Sequence, residues 1–88
     1  MNITDVRVRL IQKEDSKLKA VASITIDNAI AIHDIKIVDG NEGCFVAMPS
    51  RKASDGEYRD IAHPINAEAR AELIDIIIKA YNEELAKA

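Results

Sequence analysis

Residues 18–38 read LKAVASITIDNAIAIHDIKIV. Leu18, Ala20, Ala22, Ile24 and Ile26 alternate with Lys19, Ser23, Thr25 and Asp27, the two-residue period of a half-buried strand. Asp27-Asn28-Ala29 breaks that pattern, and Asn tolerates positive φ, so a tight turn is expected there. Residues 30–38 then resume as a second arm. A two-residue turn at Asn28-Ala29 sets Ala22 across from Ile35 and Ile24 across from His33. That register points His33 into the apolar layer as a hydrogen-bonded core residue. It turns Ile30, Ile32 and Val38 outward, a set too apolar to face open water without a cover.

The neighbouring segments extend the same sheet. Val6, Val8 and Leu10 alternate with Asp5, Arg7 and Arg9, giving a strand over residues 4–12. Lys13 to Lys17 is polar and reads as the connecting turn, which places Arg9 opposite Val21. Five cations, Arg7, Arg9, Lys13, Lys17 and Lys19, then share the outer face, where like charges need screening by solvent or an anion. After a turn at Gly40 to Gly43, Cys44 to Met48 forms a fourth strand that stops at Pro49, which has no N–H for a ladder. Tyr58 to Ala62 is expected to pair back as a short fifth strand.

Pro64 ends the sheet. Asn66 is a suitable helix N-cap, Glu68 lies in the first turn where the helix dipole favours an anion, and Ile65 is placed to staple the start. The helix is expected to run to about Leu85, with Asp75–Lys79 and Glu83–Lys87 as i,i+4 ion pairs. Ile76, Ile77 and Ile78 together span about 200° of its surface at 100° per residue. One sheet contact does not use that much apolar surface, and a symmetric partner chain would use the rest. The expected architecture is α+β: an antiparallel sheet of four to five strands, one C-terminal helix, a single domain over residues 1–88, assembled as a homodimer.

Composition narrows the function. A chain of 88 residues has a thin core, and with Phe45, Tyr58 and Tyr81 its sole aromatics that core is built from Ile, Val, Leu and Ala. One cysteine, Cys44, permits no internal disulfide and fits a reducing cytoplasm. No apolar run approaches the roughly 20 residues of a membrane span, and the N-terminal residues lack the apolar core of a signal peptide. A net charge of −3 argues against coating nucleic acid with the whole surface. The charges are uneven, however: residues 1–26 carry five cations against three anions, and residues 67–88 three against five. A polyanion site must therefore be a patch.

Catalytic groups are poorly arranged. His33 and Asp34, adjacent in a strand, point to opposite faces, and His63 has no nucleophile at a motif spacing. Cys44 lies in an apolar run without a cation to lower its pKa, so a buried, unreactive thiol is expected. Two histidines and one cysteine so scattered make no metal site, and three glycines make no phosphate-cradling loop. No cofactor and no small-molecule substrate are expected, and the chain is not read as an enzyme.

The loop PSRKASDGEYRD, residues 49–60, differs from the rest. Arg51 and Lys52 lead into a Ser-Asp-Gly turn and Arg59 returns. Such a loop adds little to a core and more often carries contacts. Arg can make bidentate contacts to phosphate or guanine, and Lys acts as a point charge. From these residues a nucleic-acid contact and a protein-interaction module stand level.

The segments ITDVRVR (residues 3–9), ASITID (22–27), IHDIKIVDGN (32–41), FVAMPSRK (45–52) and DGEYRDIAHPIN (55–66) resemble the stage V sporulation protein G family, the bacterial septation regulators. The resemblance runs through nearly the whole chain in order. It implies a small dimeric sheet-plus-helix protein that binds DNA, and in some members RNA, and affects septation, sporulation or virulence genes. By match of motif, nucleic-acid binding falls on Arg51 and Lys52, with Arg59 a further carry-over. The alternative is a septation adaptor that works through its apolar surface without touching nucleic acid.

Overall fold

The computed structural model describes residues 2–11 and 15–87. Among the described residues six strands precede one helix: β1 (Ile3–Leu10), β2 (Leu18–Ile26), β3 (Ile30–Gly40), β4 (Gly43–Ala47), β5 (Ser50–Lys52), β6 (Tyr58–Asp60) and α1 (Ala67–Lys87). Strands β1 to β4 form an antiparallel sheet in sequence order, while β5 and β6 form a separate two-stranded ribbon. The α+β class with a four-stranded sheet and a C-terminal helix is therefore found. The Tyr58 segment does pair back, but onto β5 instead of the main sheet.

The alternation read in β1 and β2 sets the inner face. Ala20, Ala22 and Ile24 of β2 and Ile35 and Ile37 of β3 are buried, and Val6, Val8 and Leu10 of β1 pack against them. Arg9 lies opposite Val21, as the polar turn before β2 implied. Lys13 of that turn lies outside the described residues.

The β2–β3 connection differs from the two-residue turn. Ile26 pairs with Ile30, so the turn holds three residues, Asp27, Asn28 and Ala29, with φ of 54° at Asp27 and 53° at Asn28. The Ala29 amide closes it on the Ile26 carbonyl at 2.9 Å. The extra residue shifts the register by one near the turn, so Ile24 faces Ile32 instead of His33. Further along, Ala22 still faces Ile35, because His33 and Asp34 together oppose Ser23 in a β-bulge and Asp34 takes φ 62°. Asp tolerates that left-handed conformation better than most residues.

The three-residue turn corrects two expectations. His33 is exposed instead of lying in the apolar layer, and Ile32 turns inward to pack on the core. Ile30, in the same phase but at the strand's end, is 61% exposed. Val38 is half-buried.

Helix α1 lies across the inner face and buries Leu73, Ile77 and Tyr81, an i, i+4, i+8 stripe. Ile74, Ile76 and Ile78 flank it, half-buried. Burial pushes the Tyr81 phenol above its ordinary value, with the neighbouring Cys44 thiol and then Asp39 adding to the effect. Cys44 itself is exposed, which corrects the expectation of a buried thiol: β4 is an edge strand five residues long, covered only in part. Among the described residues no helix is long and apolar enough to cross a membrane.

The N-cap forms as read: the Ala69 amide donates to Asn66 Oδ1 at 2.7 Å. Asn66→Ala will lower the unfolding free energy by about 1 kcal/mol, measured by urea denaturation; a change within error would mean the cap is dispensable. The hydrophobic staple is absent, since Ile65 is 87% exposed. Nor do the i,i+4 pairs form. Lys87 instead reaches Glu84, three residues back, at 3.5 Å, and no Asp75–Lys79 ion pair is present among the described residues.

Candidate nucleic-acid interface

The chain leaves the sheet at Met48-Pro49 and rises into the β5–β6 ribbon. Pro49 lacks an amide hydrogen but its carbonyl accepts from the Ile61 amide at 2.7 Å, which closes the base. At the tip the Ala53 amide donates to the Glu57 carbonyl at 2.7 Å and the Gly56 amide to the Ala53 carbonyl at 3.0 Å. This is a three-residue hairpin turn over Ser54, Asp55 and Gly56, with Gly56 at φ 87° where a side chain would be strained. Asp55 Oδ1 accepts from the Glu57 amide at 3.1 Å and steadies the turn. The ribbon's main contacts are between its own two strands, so it projects from the body.

The ribbon register decides what the cations do. Ser50 faces Asp60, Arg51 faces Arg59 and Lys52 faces Tyr58. Two guanidinium groups directly across a ribbon repel, and an anion between them relieves the repulsion. Arg59 is already engaged in part: its Nη2 donates to Asp55 Oδ2 at 2.8 Å, an exposed pair. Arg51 and Lys52 make no ion pair among the described residues. Arg51, Lys52 and Arg59 border a shallow hollow of about 350 Å³, which also touches Ser54 and Asp60. So all three cations inferred from sequence come together, two of them without an ion pair among the described residues and one held by the turn residue Asp55.

The outer face of the sheet carries a second, looser set. Arg9 and Lys36 both neighbour Val21, so they lie in one row across three strands. Lys36 was not singled out in sequence, although the expected pairing of Ala22 with Ile35 already set it across from Val21. Arg7 is paired to Asp5 at 3.0 Å, which leaves that face less positive than five adjacent cations would make it.

The His63 ring Nδ1 lies 3.1 Å from the Pro64 carbonyl oxygen, and among the described residues no three His, Cys, Asp or Glu side chains gather as a metal site would need.

A model of the SpoVG family matches residues 1–83. The chain belongs to the SpoVG family. A protein of Lachnospira eligens, "Putative septation protein SpoVG", is 61% identical over 83 residues, covering 94% of this chain and 93% of its own length. Proteins of the same name from Heliobacterium modesticaldum and Clostridioides difficile are 56% identical over 88 residues and 54% over 87. They cover 100% and 99% of this chain and 98% and 94% of their own lengths. The resemblance read from FVAMPSRK and DGEYRDIAHPIN thus holds over the SpoVG chain from the first strand into the helix.

Proposed function

We propose that this SpoVG-family chain is a homodimeric regulator in septation that binds DNA or RNA through paired copies of its β5–β6 ribbon. One observation carries the reading: among the described residues Arg51 and Lys52 make no ion pair, and they stand on a projecting ribbon with Arg59 directly across from Arg51. The acidic balance of the chain confines binding to that patch and makes it salt-sensitive. Arg51 and Lys52 are the primary contacts; Arg59 lends positive potential while Asp55 holds it in place.

Dimerisation is supported by apolar surface that the single chain leaves open. Ile32, Met48, Ile61 and Pro64 line a groove of about 310 Å³ floored by the buried Ile24 and Leu73, and Ile30 and Ile65 stand exposed. A second copy docked there would bury this surface and present two ribbons. The same groove supports the adaptor alternative, in which a septation protein takes the place of nucleic acid as the functional partner.

Titrating the purified chain onto labelled duplex DNA and single-stranded RNA from 50 to 200 mM salt tests the proposal. Log Kd should rise linearly with log salt, with about 0.9 in slope per phosphate contacted on duplex and about 0.7 on a single strand. Binding of neither polymer at 50 mM would overturn it, and a dimer that captures a septation protein under the same conditions would favour the adaptor.

A further inference from the structure

The ribbon tip carries a hydroxyl that the nucleic-acid reading does not use. Ser54 opens the turn, is exposed, and makes no side-chain hydrogen bond among the described residues. It follows Arg51-Lys52-Ala53, so two cations stand three and two positions before it. Basophilic serine/threonine kinases select that charge pattern with acidic side chains in the substrate groove, and discrimination by charge spacing is a general device of kinase recognition. We propose that Ser54 is a phosphorylation site for a kinase of this class, and that its phosphate shuts the polyanion contact on the same ribbon.

Accessibility favours the transfer. A kinase needs its target segment extended and free of the body, and residues 50–52 are already a strand. An isolated two-stranded ribbon is only marginally stable, so the three-rung β5–β6 ribbon opens at small cost. Ser54 Oγ attacks the γ-phosphorus of magnesium-bound ATP, and the bond from that phosphorus to the β,γ-bridging oxygen breaks. ADP leaves, and the hydroxyl proton passes to the kinase's catalytic carboxylate.

The consequence follows from charge. Residues 50–60 hold three cations, Arg51, Lys52 and Arg59, and three carboxylates, Asp55, Glu57 and Asp60, so the ribbon is neutral overall. Phosphoserine adds about −1.5 to −2. Ser54 borders the hollow that Arg51, Lys52 and Arg59 surround. A phosphate there is an internal counterion for those cations and a repulsive charge toward any external polyanion. This second half of the proposal rests on the nucleic-acid reading; the modification itself does not.

The test uses the full chain, a purified kinase that selects arginine three residues before its target, and magnesium ATP. Mass spectrometry should place the phosphate on Ser54. The Ser54→Ala chain should lack it, and Arg51→Ala should slow its incorporation at least about fivefold. The phosphorylated chain should then bind labelled duplex at least about tenfold more weakly at 50 mM salt, while unmodified Ser54→Ala binds as wild type does. Phosphate elsewhere, with Ser54 untouched, overturns the modification site. An unchanged Kd after full phosphorylation of Ser54 overturns the switch. Should the unmodified chain bind no nucleic acid, the nucleic-acid reading and the switch fall together, and the mapping alone still decides the site.

Discussion

Ile77→Ala will destabilise the chain by about 2–5 kcal/mol. The Ile77 side chain is fully buried at the middle of the helix stripe, between Leu73 and Tyr81, with Ile35 and Ile37 also fully buried in the same core. Removing it takes away apolar burial and leaves a cavity that a sheet cannot collapse into. A chain this size has about 5–10 kcal/mol of stability in all, so the variant should be partly unfolded at 37 °C. Urea denaturation followed by circular dichroism reads the loss. Glu72→Ala is the control: an exposed residue of the same helix should change stability by no more than about 0.5 kcal/mol. A loss below about 1 kcal/mol for Ile77→Ala would mean that the helix does not dock as described.

The double variant Arg51→Ala/Lys52→Ala will weaken nucleic-acid binding at least about tenfold at 50 mM salt and flatten its salt dependence. The slope counts contacts. Two lost phosphate contacts lower it by about 1.8 on duplex DNA; a dimer engaging both ribbons loses four contacts and about 3.6. The same measurement therefore reports whether one ribbon or two reach the polymer. Stability should move by no more than about 0.5 kcal/mol, because both side chains are exposed and removing Arg51 relieves its repulsion with Arg59. An unaltered slope would sink the ribbon as the contact. A uniform loss across unrelated sequences would assign both residues to phosphates, whereas a loss confined to one site would assign Arg51 to a base.

The two variants probe parts of the chain that were unequally legible before any coordinates. Strand identity in β1 and β2 and the presence of the C-terminal helix rest on spacing alone, since alternation and the 3.6-residue period are imposed by backbone geometry. The Asn66 cap was legible for the same reason, because donor and acceptor lie three residues apart. The position of His33 was not. It depends on a three-residue turn and a compensating bulge at Asp34, and a one-residue error in either exchanges the two faces of the strand. Cys44 misled because an apolar run reads as buried whether its strand lies in the middle of a sheet or at its edge.

In the ribbon, residue type and turn chemistry announced Arg51, Lys52 and the Gly56 turn. They did not say that Arg59 would sit across from Arg51 while Asp55 held it, or that Ser54 would share their hollow. Order of strands, helix limits and chemical character of the tip were thus present in local spacing, which short-range sterics translate directly into shape. Which cations remain unpaired, which apolar groups stay uncovered and how the sheet faces are assigned emerged only on folding. Those properties depend on registers between segments distant in the chain, and no local pattern encodes them.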